Sequence, residues 1–151
     1  MSFFNYDDNT EDPLENIAIL EGLSQEDWQK IISHAQLIHF DVNEQLLTAG
    51  DKDDALYILV EGQVEAIQPS AFGRTNQLAV INAGSVFGEI AFFDGFPRVA
   101  TIRSISKGNM LKLSKNGFEK LAAWDPLIAQ QLLMDLGKVL ALRLRYNSYS
   151  K

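Results

Sequence analysis

The chain has 151 residues, 46% hydrophobic and 22% charged, which is long enough to bury a core and too apolar for wholesale disorder. Its formal net charge of −7 makes a surface that repels phosphate backbones, so neither DNA nor RNA is expected as a partner. The sequence has no cysteine, which excludes disulfides, thiolate metal sites and cysteine nucleophiles.

The first residues, Met1 to Asp8, lack the basic segment and apolar core of a signal peptide. Asp135 and Lys138 interrupt the best candidate for a membrane span, so a cytoplasmic protein without membrane contact is expected. Residues 1–13 are acidic, end at Pro13 and read as a flexible tail; residues 14–151 read as one domain. Leu14, Ile17, Ala18 and Leu20 have the spacing of a short helical turn. Ser24 with Asp27 three residues on opens a helix to about His34, with Trp28, Ile31 and Ile32 facing inward.

From about Ile38 to Leu113 the pattern becomes short strands punctuated by Gly, Asn and Asp. Asp41-Val42-Asn43-Glu44 is a turn in which Asn43 can take a left-handed conformation, and Gly50-Asp51 is a second turn. Leu56–Val60, Val64–Ile67, Gln77–Ile81, Val99–Ile105 and Met110–Leu113 are the clearest strands, with a hairpin loop over 70–76. Many short strands at near-regular spacing predict a sandwich or barrel. The ending, about 116–146, is helical, with a break at Trp124-Asp125-Pro126 where proline starts a new helix. In that last helix Ile128, Leu132, Leu136, Val139 and Leu140 recur at helical spacing; the stripe Leu132, Leu136, Leu140 reads as core or as a dimer seam.

The chemistry concentrates between Gly84 and Thr101. Gly88 to Phe93 predicts a short helix whose first amides favour an anion. Arg98 is the only basic residue between Arg74 and Arg103, and a guanidinium is the planar donor fork that suits two phosphate oxygens. Glu89 is repulsive beside a phosphate, so it makes sense as an acceptor for a hydroxyl, and a ribose 2′-hydroxyl fits. Alone, each residue has an ordinary explanation: Gly88 a turn, Glu89 a helix first-turn charge, Arg98 an exposed strand-start arginine, Asp94 loop solvation or an ion pair. Their combination asks for one ligand with an anionic phosphate and a sugar hydroxyl.

Phe87-Gly88-Glu89-Ile90-Ala91 followed by Pro97-Arg98-Val99-Ala100-Thr101 resembles the phosphate-binding cassette of cyclic nucleotide-binding domains in both blocks and in the spacing between them. The resemblance extends from about Leu20 to Arg145 and takes in Gly50-Asp51, Leu56 to Leu59, Gly62-Gln63-Val64, Phe118 and Pro126. It implies a mainly β fold, an eight-stranded jelly roll over about 38–113, with an N-terminal helix and C-terminal helices. It implies that Gly88 and Glu89 hold the ribose 2′-hydroxyl, and that Arg98 and the amides of Ala91 and Val99 hold the cyclic phosphate. Phe87, Ile90, Pro97 and Ala100 complete the cassette. Arg143 and Tyr146 fall near where such domains cap the base, and Tyr146 is positioned in sequence to stack on adenine; both also fit as ordinary helix-end residues.

Members preferring cyclic GMP often carry Thr or Ser directly after the arginine, whereas this chain has Val99, which points to cyclic AMP ahead of cyclic GMP. The function implied is a non-catalytic module that senses the nucleotide and signals through its C-terminal helices to an effector protein or to a second copy of itself, without a cofactor or metal. One alternative is a degenerate domain that binds proteins and no ligand. A metal-dependent cupin enzyme would need more than His34 and His39, and a DNA-binding regulator would need a helix-turn-helix beyond the last helix.

Overall fold

In the computed structural model, residues 17–69 and 71–146 are described; the acidic tail and residues 14–16 lie outside them. The described elements are α1 (Gln25–Ile32), β1 (Gln36–Phe40), β2 (Gln45–Leu47), β3 (Leu56–Glu61), β4 (Gln63–Pro69), β5 (Thr75–Asn82), β6 (Val86–Phe87), α2 (Glu89–Asp94), β7 (Thr101–Ser104), β8 (Gly108–Leu113), α3 (Lys115–Trp124) and α4 (Pro126–Arg145). The strands form two four-stranded antiparallel sheets, ordered β1-β8-β3-β6 and β2-β7-β4-β5, as a jelly roll requires.

β3 shows why this sheet pair holds together. Its run Leu56-Tyr57-Ile58-Leu59 is apolar on both faces because both faces are covered. Leu56 and Ile58 point into a core shared with Trp28, Ile31, Leu121, Leu132 and Leu136 of the helices. Tyr57 and Leu59 point the other way, into the space between the sheets, with Val64, Ala66, Ile81, Phe87 and Ile102. The molecule is therefore three layers deep: helices, first sheet, second sheet.

Local chemistry sets the helix ends. Ser24 Oγ accepts from the Asp27 amide at 3.1 Å and Ser114 Oγ from the Gly117 amide at 3.0 Å, so both helices start at hydroxyl caps. Pro126 starts α4 where no amide hydrogen is needed. Asn43 adopts the left-handed conformation its turn calls for, with φ 62°.

Two expectations change. The short helical turn before α1 is a non-helical bend over residues 17–20. Ile17, Ile19 and Leu20 are buried there by tertiary contacts, and the Leu20 amide donates to Asp135 Oδ2 of α4 at 2.7 Å instead of to a helical carbonyl. The stripe on α4 divides: Leu132 and Leu136 are wholly buried in the core, while Leu140 is only half-buried.

Candidate functional site

The segment between Gly84 and Thr101 folds as strand β6, helix α2 and the loop into β7, against the turn at Gly50-Asp51. That turn clasps the backbone of Arg98 from one side: the Arg98 amide donates to Asp51 O, and the Gly50 amide to Arg98 O, each at 2.8 Å. Thr101 Oγ1 accepts from the Ala49 amide at 3.0 Å, which extends the same clasp. Asp94 Oδ1 accepts from the Phe96 amide at 2.9 Å and shapes the loop before Pro97, so it is a turn former.

Gly88 is glycine for two reasons. It caps α2 with φ 80°, and a β-carbon there would stand 2.6 Å from Arg98 Nη1. The close approach lets Arg98 Nη1 donate to the Gly88 carbonyl at 2.7 Å. Arg98 Nη2 donates to Ala55 O at 2.7 Å and pairs with Asp53 Oδ2 at 2.9 Å. Arg98 is only 5% exposed, and its Nε–H, buried, has no acceptor among the described residues.

Glu89, at the first position of α2, is 2% exposed. Its Oε1 lies 2.7 Å from Arg143 Nη1, and Arg143, itself 3% exposed, also donates through Nη2 to Val86 O at 2.8 Å. The ion pair joins the start of α2 to the last turn of α4. At that distance the Arg143 guanidinium is the partner of the Glu89 carboxylate.

Gly88, Glu89, Ile90, Ala91, Arg98, Val99 and Ala100 line one open cleft with Leu47 and Ile102. Val99 is 50% exposed at this cleft. Phe87 is fully buried and stacks on Tyr57, so it supports the site from beneath. Pro97 precedes Arg98 in the loop outside the cleft lining, and Tyr146, 48% exposed, caps the end of α4.

Nothing along the sequence marks Asp53 or Tyr57 as a site residue. Burial pushes the Asp53 carboxyl up, but the bonds from the Tyr57 hydroxyl, Arg98 and the Ala55 amide outweigh it, and it titrates below its ordinary value. Burial and the bond to Asp53 raise the Tyr57 phenol well above its ordinary value, so it remains a donor. Among the described residues, no group of three or more His, Asp or Glu side chains is placed to hold a metal, and no helix is long and apolar enough to cross a membrane.

Residues 37–125 match the family described as the cyclic nucleotide-binding domain. The chain belongs to that family. A cyclic nucleotide-binding domain from Methylobacillus flagellatus has the same fold, with a TM-score of 0.75 and 28% identity over 90% of this chain and 76% of that one. The cAMP-dependent protein kinase regulatory subunit of Emericella nidulans is 32% identical over 108 residues, 72% of this chain and 26% of the relative. The CRP-like cAMP-activated global transcriptional regulator of Mycobacterium tuberculosis is 27% identical over 132 residues, 87% of this chain and 57% of the relative. This cyclic nucleotide-binding domain thus spans between about a quarter and just over half of those curated relatives.

Proposed function

We propose that this domain binds a 3′,5′-cyclic nucleotide, cyclic AMP ahead of cyclic GMP, and acts as a regulatory module without catalysis of its own. One observation carries the reading: the cleft is lined by two buried, oppositely charged groups, Arg98 with an unused donor and Glu89 with acceptor capacity beyond its ion pair. Arg98 Nε is a donor lacking an acceptor among the described residues, and the Glu89 carboxylate, paired with Arg143 through Oε1, keeps lone pairs that a hydroxyl can meet. A buried polar atom left unmet costs roughly 1–3 kcal/mol, so a phosphate oxygen that meets Arg98 Nε recovers that cost, and a hydroxyl adds a donor to the Glu89 carboxylate. Cyclic nucleotides carry both on one rigid sugar. In this reading Arg98 and the Val99 and Ala91 amides take the phosphate, Gly88 and Glu89 take the 2′-hydroxyl, and Ile90, Ala100, Leu47 and Ile102 give apolar contact. Tyr146 reaches for the base, and Arg143 answers the state of Glu89.

The signal leaves through α4. A hydroxyl donating to Glu89 changes what Arg143 meets there, and α4 carries that change away from the cleft. Its outer face supports a second copy as partner: Leu127, Gln130, Met134, Gly137, Ala141 and Leu144 are all exposed and alternate at spacings of three and four, the rhythm of a helix-pair seam. Gly137 weakens a helix interior, yet a β-carbon there would meet nothing within 4 Å in this chain, so close approach by another helix accounts for it.

Calorimetric titration with cyclic AMP and cyclic GMP tests the reading. The expected result is saturable binding of cyclic AMP with a rise in melting temperature. Val99→Thr is expected to improve cyclic GMP relative to cyclic AMP. No heat and no thermal shift at millimolar nucleotide would leave a protein-binding module without ligand.

A further inference from the structure

Arg98 would be a weak anion site if its guanidinium had to be ordered at each binding event, because rotamer-rich side chains lose freedom on immobilisation. The structure orders it beforehand, through residues outside the cassette. We infer that Tyr57 and Asp53 together form a positioning device for Arg98, holding its guanidinium so that Nε stays open as a donor for a ligand; this rests on the nucleotide reading above.

Asp53 Oδ2 is the hub. It accepts from the Tyr57 hydroxyl at 2.7 Å and from Arg98 Nη2 at 2.9 Å, while Asp53 Oδ1 accepts from the Ala55 amide at 3.2 Å. The Tyr57 ring lies parallel to the Phe87 ring, 5.3 Å between centroids and 3° between planes, as cross-strand partners of β3 and β6. Its centroid is also 5.5 Å from the Arg98 guanidinium carbon. One side chain thus touches the cassette strand, the carboxylate and the arginine at once.

Asp53 brings a negative charge toward a phosphate site, so the sign of its effect needs deciding. Arg98 is almost wholly buried, whereas a third of the Asp53 side chain reaches water and is screened. An unpaired buried guanidinium costs more than a screened carboxylate repels. Positioning therefore wins over repulsion, and loosening Asp53 weakens binding.

The test uses the full chain and cyclic AMP. Tyr57→Phe keeps the stack on Phe87 and removes only the hydroxyl; it is expected to weaken cyclic AMP about three- to tenfold, the value of one hydrogen bond. Asp53→Ala is expected to weaken it more, and Asp53→Asn, whose amide oxygen still accepts, to recover part of the loss. A second readout needs no ligand: the Arg98 Nε–H proton exchanges slowly with water in the parent and faster in Tyr57→Phe by NMR, with circular dichroism showing both folded. Equal or tighter binding by Tyr57→Phe, or an unchanged exchange rate, overturns the positioning role. A parent that binds no nucleotide but shows the exchange difference overturns the functional reading and keeps the positioning.

Discussion

Arg98 is the residue on which binding and folding meet. On the proposed reading, removing it takes away the full charge facing the cyclic phosphate, typically about 2–5 kcal/mol, or roughly 30- to several-thousand-fold in affinity. It also strips the donor from the Gly88 and Ala55 carbonyls, so Arg98→Ala is expected to lower the melting temperature as well. Titration at a temperature where circular dichroism shows the variant folded separates the two effects; parent-like affinity there would remove Arg98 from the site. Asp53 adds a pH dependence. Its folded-state value is depressed, so its contribution to stability is present above the unfolded carboxylate value and is lost as pH falls through the folded one. Asp53→Asn is expected to flatten that acid limb in urea unfolding curves; an identical limb would show that another carboxylate governs it. Glu89 and Arg98 stood out in the sequence because a turn glycine and a proline mark their local setting. Asp53, 45 residues from Arg98, and Tyr57, inside an apolar strand run, carried no such mark.

At the scale of elements, α4 is tied to the rest by two polar links. Asp135 holds the Leu20 amide, and two turns later Arg143 meets Glu89 and Val86. Arg143→Met leaves Glu89 as a buried charge without its partner, a change that typically costs about 3–5 kcal/mol, whereas Glu89→Leu with Arg143→Met is expected to restore most of it. Urea denaturation of the two variants checks the difference, and equal stabilities would mean that the pair contributes nothing. Nucleotide is expected to alter amide hydrogen exchange across 126–145 as well as across 89–101, because the pair spans both segments; a change confined to 89–101 would describe a passive binder. Helical spacing made α4 visible in the sequence and grouped Leu132, Leu136 and Leu140 as core or dimer seam; the structure buries the first two in the core. Spacing could not show that Arg143 shares their buried face, since a basic residue at a helix end is usually solvated.

For the whole molecule, the proposed pairing through the outer face of α4 makes a prediction about assembly. The parent is expected to sediment as a dimer at micromolar concentration, and Met134→Glu as a monomer, because the charge falls at the centre of the seam. A monomeric parent would assign that face to a different partner. The jelly roll itself was legible at this scale. Strand spacing, turn residues and the apolar runs of β3 and β8 are consequences of strands buried on one or both faces, and burial imposes its pattern directly on residue type. The bend at 17–20 was not legible, because its apolar residues follow the spacing of a helical turn while its amides are met from α4 and from Gly84. By itself, then, the sequence determined the fold class, through patterns that burial writes along each strand and helix, and it drew attention to Glu89 and Arg98 through the turn residues beside them. Only the tertiary structure decided what those charges meet. Arg98 with Asp53 and Tyr57, and Glu89 with Arg143, are contacts between segments far apart in sequence, and their geometry exists only once the sheets and helices have packed.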